Sequence, residues 1–294
     1  MILVTGPTGN IGRHLVDELL NSGMRIRALV HDAEKAGELA DRGVGVVVGS
    51  FDDRDALDRA LSGVDRLFLL SPPGVEQMIE QQTEVVDRAA AAGVENVVKQ
   101  SSIAVDEDTE AAIIRAHRRI EEHIERSRVR WTHLRPNWFM QNELVQADSI
   151  ASDGVFFAPD VTRVSMIDAR DIAAVAAHVL TRDGHEGKAY VLTGPEPLSY
   201  QDLAEHYSRA LGRPVRWSEV TLEQARESML DAGLPEVLAT GFTQVMARYR
   251  NGGVTAAVSP EVERLLGRPP RSFEQFLADH GAQFQPHGTA ARRA

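Results

Sequence analysis

Between residues 2 and 134, short β-branched runs alternate with longer stretches whose apolar positions recur every three or four residues. Residues 2–5 read as a strand, and 11–21 as a helix with Ile11, Leu15, Leu19 and Leu20 along one face. Gly23 ends that helix, since glycine takes the left-handed conformation that closes a helical turn. Further strands are predicted over 25–30, 44–48, 66–70, 96–100 and 130–134, with helices over 33–41, 53–61, 75–92 and 109–127 between them. The unbroken apolar run at 44–48 suits a parallel strand covered on both faces. Strands separated by helices in this rhythm form right-handed βαβ units and a single parallel sheet. The pattern therefore predicts a doubly wound α/β fold with its ligand crevice above the carboxyl ends of the strands.

Beyond residue 142 the periodicity loosens. Residues 165–180 read as a short strand running into a helix, with Asp171 near the helix start. A strand is expected at 189–193, a helix at 200–211 closed by Gly212, and a helix-rich stretch over 221–248. The expected organisation is one domain over 1–284. Within it, residues 1–141 form the dinucleotide-binding core and 142–284 a smaller substrate-covering lobe woven onto the sheet. The polar tail, 285–294, is expected to be disordered.

Composition narrows the function. The net charge of −11 and the 5% aromatic content leave no basic stripe and little material for stacking bases, which excludes a general nucleic-acid surface. With no cysteine, thiol nucleophiles, disulfides and cysteine-based metal sites drop out together. Met1 leads straight into an apolar run and a glycine turn without a basic leader, and no apolar run approaches the roughly 20 residues that span a bilayer. A cytoplasmic protein without a membrane partner is expected.

The candidate chemistry begins at Gly6-x-x-Gly9-x-x-Gly12, which follows the first strand directly and opens the first helix. Glycine suits such a turn because a Cβ obstructs both the tight bend and the close approach of backbone to a pyrophosphate. The helix start then offers free N–H groups and a positive dipole end. The spacing is one residue wider than G-x-G-x-x-G, and its place after the first strand predicts a Rossmann dinucleotide-binding turn. At the end of the second strand, Asp32 falls where a carboxylate holds ribose hydroxyls, whereas His31 and Lys35 are placed to meet a 2′-phosphate. Asp32 also reads as the cap of the following helix.

Four segments, Thr5-Gly-Pro-Thr-Gly-Asn-Ile-Gly12, Ala28-Leu-Val-His-Asp32, Gly49-Ser-Phe-Asp-Asp53 and Leu134-Arg-Pro-Asn-Trp-Phe-Met-Gln-Asn142, resemble the NmrA-like group of atypical short-chain dehydrogenases/reductases. Within it the likeness is to the triphenylmethane-reductase and NAD(P)H:quinone-reductase branch. It continues through Val164-Ser-Met-Ile-Asp-Ala-Arg-Asp171 and Arg271-Ser-Phe-Glu-Gln-Phe276, so it covers nearly the whole chain. The resemblance implies that Gly6, Thr8, Gly9, Asn10, Ile11 and Gly12 hold the pyrophosphate and that Ser50, Phe51 and Asp52 lie along the adenine. It implies that Leu70, Ser71 and Pro72 line the path to the nicotinamide, with Ser101 and Pro136 closing the site. The group commonly carries arginine where this chain has His31. Lys35 remains beside it, so NADP(H) is expected by a small margin over NAD(H).

Short-chain dehydrogenases acting on alcohols use a Tyr-x-x-x-Lys pair to move the substrate proton. None of the four tyrosines here is followed by lysine four residues later, and the corresponding helix shows His117-x-x-x-Glu121 instead. At that spacing both side chains share one helix face. Histidine oriented by a carboxylate makes a general acid, and a solvated helix face is the alternative reading. Two ligands at helical spacing make no metal site. Without the Tyr/Lys pair, hydride transfer to a conjugated acceptor fits better than carbonyl reduction, because the acceptor spreads the incoming charge. Ser102, Asn137, Trp138, Phe139, Met140 and Phe156 are the expected walls of a pocket for a flat small molecule, and plain core packing is the alternative for the aromatic and methionine side chains. The rival function is a non-catalytic sensor that binds NAD(P) and reports to a protein partner.

Overall fold

The structure is a computed structural model that describes residues 1–160, 163–250 and 253–286. The strands are β1 (Ile2–Thr5), β2 (Ile26–Val30), β3 (Gly45–Val48), β4 (Arg66–Leu69), β5 (Asn96–Gln100), β6 (Arg130–Pro136), β7 (Val155–Ala158), β8 (Lys188–Leu192) and β9 (Arg216–Glu219). The helices are α1 (Gly12–Asn21), α2 (Ala33–Asp41), α3 (Arg54–Leu61), α4 (Glu76–Ala91), α5 (Ala112–Arg126) and α6 (Ala147–Asp153). They continue with α7 (Ala169–Thr181), α8 (Tyr200–Leu211), α9 (Leu222–Asp231), α10 (Glu236–Tyr249), α11 (Glu261–Leu266) and α12 (Phe273–His280).

Seven parallel strands form the main sheet in the order β3-β2-β1-β4-β5-β6-β8. The chain starts in the middle, winds outward to β3, returns to β4 and winds outward the other way, as a doubly wound sheet requires. One face packs on α1, α2, α7 and α11 through Leu15, Leu19, Leu39, Val175, Val179 and Val262. The other packs on α3, α4 and α5 through Leu57, Leu61, Val85, Val86, Ile120 and Ile124. Both layers follow from the predicted helices except for α11, which the pattern did not predict. A third cluster gathers Phe156, Tyr207, Phe273, Phe276 and Phe284 with side chains of α6, α8, α10 and α12, and takes in Val105, Ala111 and Ile114 from the first half of the chain.

Four local expectations are corrected. β3 is covered only in part: Val46 packs into one helical layer and Val47 into the other, but the strand is the edge of the sheet and Val48 is 46% exposed. An apolar run does not distinguish an inner strand from an edge strand, because side chains report the two faces of a sheet and not the backbone neighbours within it. β6 runs two residues past the predicted end, since Arg135 and Pro136 pair with Val191 and Leu192 of β8. The strand expected from residue 165 is reduced to isolated bridges, Phe139 with Ile167 and Val164 with Leu198. The separate parallel pair β7–β9 was not expected. Of the predicted tail, residues 287–294 lie outside the described residues.

Candidate functional site

The carboxyl ends of β1, β2, β4 and β6 open into a cleft of about 600 Å³. Its floor is the turn after β1. Gly6 sits at φ +62°, where a side chain is strained. Its carbonyl accepts from the N–H of Gly9 at 3.2 Å, and a Cβ on Gly12 would lie 1.9 Å from that same oxygen. Only glycine at residue 12 lets α1 begin against the turn. No side chain caps α1 at Ile11, and although the Arg13 N–H goes to the Gly9 carbonyl at 3.1 Å, the positive end of the helix faces the space beside Thr8–Ile11. The cradle fits the pyrophosphate of a dinucleotide. Thr5 secures the floor from below, its hydroxyl donating to the carbonyl of Leu70 at 2.7 Å while accepting from the Leu70 N–H at 2.8 Å.

At one end of the cleft stand Val30, His31, Asp32 and Lys35, with Gly49, Ser50 and Phe51 beside them. The Asp32 carboxylate caps α2, accepting from the N–H of Glu34 at 2.9 Å and of Lys35 at 3.4 Å. Those backbone bonds, Glu34 first, hold its pKa below the usual carboxylate range. His31 and Lys35 are exposed on the rim. At the other end lie Leu70, Ser71, Pro72, Gln77, Met78, Gln81 and Phe139. Ser71 accepts from Gln82 Nε2 at 2.8 Å. Gln82 Oε1 and Ser101 Oγ are buried without a partner among the described residues, leaving hydrogen-bonding capacity for a bound molecule or water.

Thirteen of the residues expected at the cofactor line this cleft: Gly6, Thr8, Gly9, Asn10, Ile11, His31, Asp32, Lys35, Ser50, Phe51, Leu70, Ser71 and Pro72. Gly12 lies beneath the turn, Asp52 takes the Gln81 amide at 3.1 Å, and Ser101, just after β5, and Pro136, at the end of β6, lie outside the lining. The contribution of α4 was missed. Its start immediately after Ser71-Pro72-Pro73-Gly74 was the available signal, because the first turns of such a helix must flank the crevice.

The expected substrate residues separate. Phe139 lines the cleft and Ser102 does not. Met140 and Phe156 are core residues of the third apolar cluster, with Phe156 against Tyr200 and Tyr207 at ring distances of 6.1 and 5.6 Å. Asn137 is a buried clamp, donating to the carbonyl of Thr255 at 2.8 Å and accepting from the N–H of Trp138 at 2.8 Å. Trp138 borders a void of about 10 Å³ shared with Tyr200, Met246 and Tyr249, room for about one water.

His117 and Glu121 do not work as a pair. Glu121 is fully buried, and both its oxygens are held by Arg135, at 2.7 and 3.1 Å. His117, half-buried, meets Lys99 instead, Nδ1 to Nζ at 3.1 Å. The helical spacing was right, but the adjacent strands supplied closer partners. Glu121, Glu125 and His133 bring possible ligand atoms within 4.8 Å of one another. The guanidiniums of Arg135 and Arg118 already occupy that carboxylate's surroundings, so a cation meets positive charge there. Asp168 caps α7 and binds Arg170, and Asp171, expected near the helix start, is fully buried and held by Arg268 and Arg271.

The sheet order and the uncapped glycine turn define a Rossmann-fold protein built for a dinucleotide. The chain belongs to the NmrA-like family, whose model matches residues 1–277. It is 39% identical over 285 residues to the NAD(P)H azoreductase of Xenophilus azovorans, covering 97% of this chain and 99% of that protein. It is 42% identical over 288 residues to the (4-alkanoyl-5-oxo-2,5-dihydrofuran-3-yl)methyl phosphate reductase of Streptomyces griseus, covering 97% of this chain and all of the relative. The NADPH-dependent quinone oxidoreductase of Escherichia coli complexed with NADPH superposes with a TM-score of 0.85 at 29% identity, over 95% of this chain and 99% of that one. No described helix is long and apolar enough to cross a membrane.

Proposed function

We propose that this chain is an NAD(P)H-dependent reductase whose acceptor is a flat, conjugated small molecule of the quinone or azo type. The observation that carries the reading is the cleft itself, a single channel from the glycine turn to Phe139. It is supported by full-length relatives that reduce an azo compound, a dihydrofuranone phosphate and a quinone. Bound there, the reduced nicotinamide supplies hydride. The protein positions that group against the acceptor and keeps water from the reacting face. Nothing in the site favours the sensor reading.

The rim favours NADPH. Lys35 and His31 are exposed at the cleft end that would hold the adenosine ribose, while the carboxylate of Asp32 is engaged in capping α2. The test follows reduced-nicotinamide absorbance with quinone and azo acceptors, using each cofactor in turn. Turnover is expected, with NADPH preferred, and Lys35→Ala is expected to raise KM for NADPH about tenfold while sparing NADH, the loss of one charged phosphate contact. Tight cofactor binding without turnover would sink the enzyme reading.

A further inference from the structure

Lys99 is one of three lysines among 32 basic residues, and it is fully buried (0% exposed) whereas Lys35 and Lys188 are exposed. Arginine keeps its proton at any ordinary pH, so lysine is the basic side chain able to release one inside a protein. Lys99 Nζ donates to the Gln100 carbonyl at 2.8 Å and meets His117 Nδ1 at 3.1 Å. It has no ion pair among the described residues, because the nearby Glu121 carboxylate is taken by Arg135. Strand alternation places Lys99 and Ser101 on the same face of the sheet, towards α4 and α5, at the edge where β5 ends. A buried ammonium whose side-chain partner among the described residues is an imidazole alone is poorly explained as a stabilising feature, since burial without a counter-charge costs free energy.

We propose that Lys99 and His117 deliver the proton that the reduced acceptor requires, His117 as the donor and Lys99 as the residue that positions and recharges it. This rests on the reductase reading. A conjugated acceptor that has taken hydride carries its extra electron pair on oxygen or nitrogen and needs one proton there. Lys99 bonded to Nδ1 leaves the ring proton on Nε2. His117 passes that proton to the acceptor heteroatom as Nδ1 takes one from Lys99, so the ring stays neutral and Lys99 ends as the free amine. After product leaves, water returns a proton to Nε2 and Nδ1 passes one back to Nζ. No further oxidant or reductant is required.

The surroundings suit this cycle. Glu121 lies near Lys99 from α5 with Arg118 beside it, His133 and Arg135 stand nearby on β6, and α4 packs apolar side chains against α5. Burial lowers the Lys99 pKa to about 7 against the opposing pull of Glu121, and burial together with the Lys99 charge holds His117 well below its usual value.

Three lysines make the test direct. In full-length protein labelled at lysine 13Cε, the signal missing from Lys99→Met is Lys99, and it is expected to titrate near 7 and to shift in His117→Gln. In activity, kcat of the parent is expected to fall as pH rises through about 7. Lys99→Met is expected to lower kcat about 100-fold at pH 6, abolish that fall and leave KM for NADPH within about twofold. Lys99→Arg keeps a charge but gives up no proton, so it is expected to be equally slow. His117→Gln added to it costs nothing more. If Lys99→Met does not fold, Lys99→Arg and His117→Gln carry the comparison. A Lys99 signal that titrates near 10 in an active enzyme, additive losses, or rescue by arginine overturns the pair and leaves the reductase reading standing. A parent without turnover on any acceptor overturns that reading, and the pair's catalytic role with it.

Discussion

At residue 12 a single methyl group decides whether the cleft has a floor. Its Cβ would sit 1.9 Å from the Gly6 carbonyl oxygen, which is backbone and cannot swing aside. Gly12→Ala is expected to cost about 1–3 kcal/mol, the usual penalty of overpacking, and to weaken NADPH binding more than tenfold, read by thermal unfolding and fluorescence titration. A second residue sets a pH dependence. Glu143 is buried, and burial raises its pKa from 4.5 to about 7 against the weaker opposing bond from Trp138. A carboxyl whose folded pKa lies above its unfolded value stabilises the fold fully below about 4.5, and that stability is lost as pH rises to about 7. The loss is on the order of 3 kcal/mol at about 1.4 kcal/mol per pKa unit. The difference in unfolding free energy between the parent and Glu143→Gln should therefore fall across that window. A flat difference would remove Glu143 as its source.

At the scale of elements, buried carboxylates paired with partly exposed arginines tie together segments that the sequence leaves far apart. Asp171 in the first turn of α7 accepts from the Arg271 N–H at 2.6 Å and from Arg268 at 2.8 Å, and Arg271 adds a side-chain contact. The loop before α12 is thereby fastened to the helix that covers the sheet. Asp171→Asn leaves these donors short of a charge and is expected to cost about 3 kcal/mol, measured as a lower urea midpoint with unchanged slope. Asp171 was legible as a helix-start residue and not as a clamp. Its partners lie about a hundred positions away, and no periodic pattern carries that separation. The same limit explains His117, whose place on α5 was legible while its partner on β5 was not.

For the molecule as a whole, the cleft draws its walls from β1, β2, β4, α2, α4 and the segment after β6, so a bound dinucleotide holds the two halves of the sheet together. A ligand that binds only the folded chain stabilises it by mass action, and NADPH at about 100 times its Kd is expected to add about 2.7 kcal/mol. An unchanged melting temperature would argue against the cleft as its site.

The sequence by itself determined the parallel sheet, the glycine turn, the residues that flank strand ends and the missing Tyr/Lys pair. These depend on local periodicity and on which side chains a turn tolerates, and both are written in neighbouring residues. Only the tertiary structure decided that β3 is an edge, that Met140 and Phe156 are core, that α4 walls the cleft, and that Lys99 stands behind His117. Each of those depends on which elements become neighbours in space. That choice follows from the burial of the whole chain's apolar surface together.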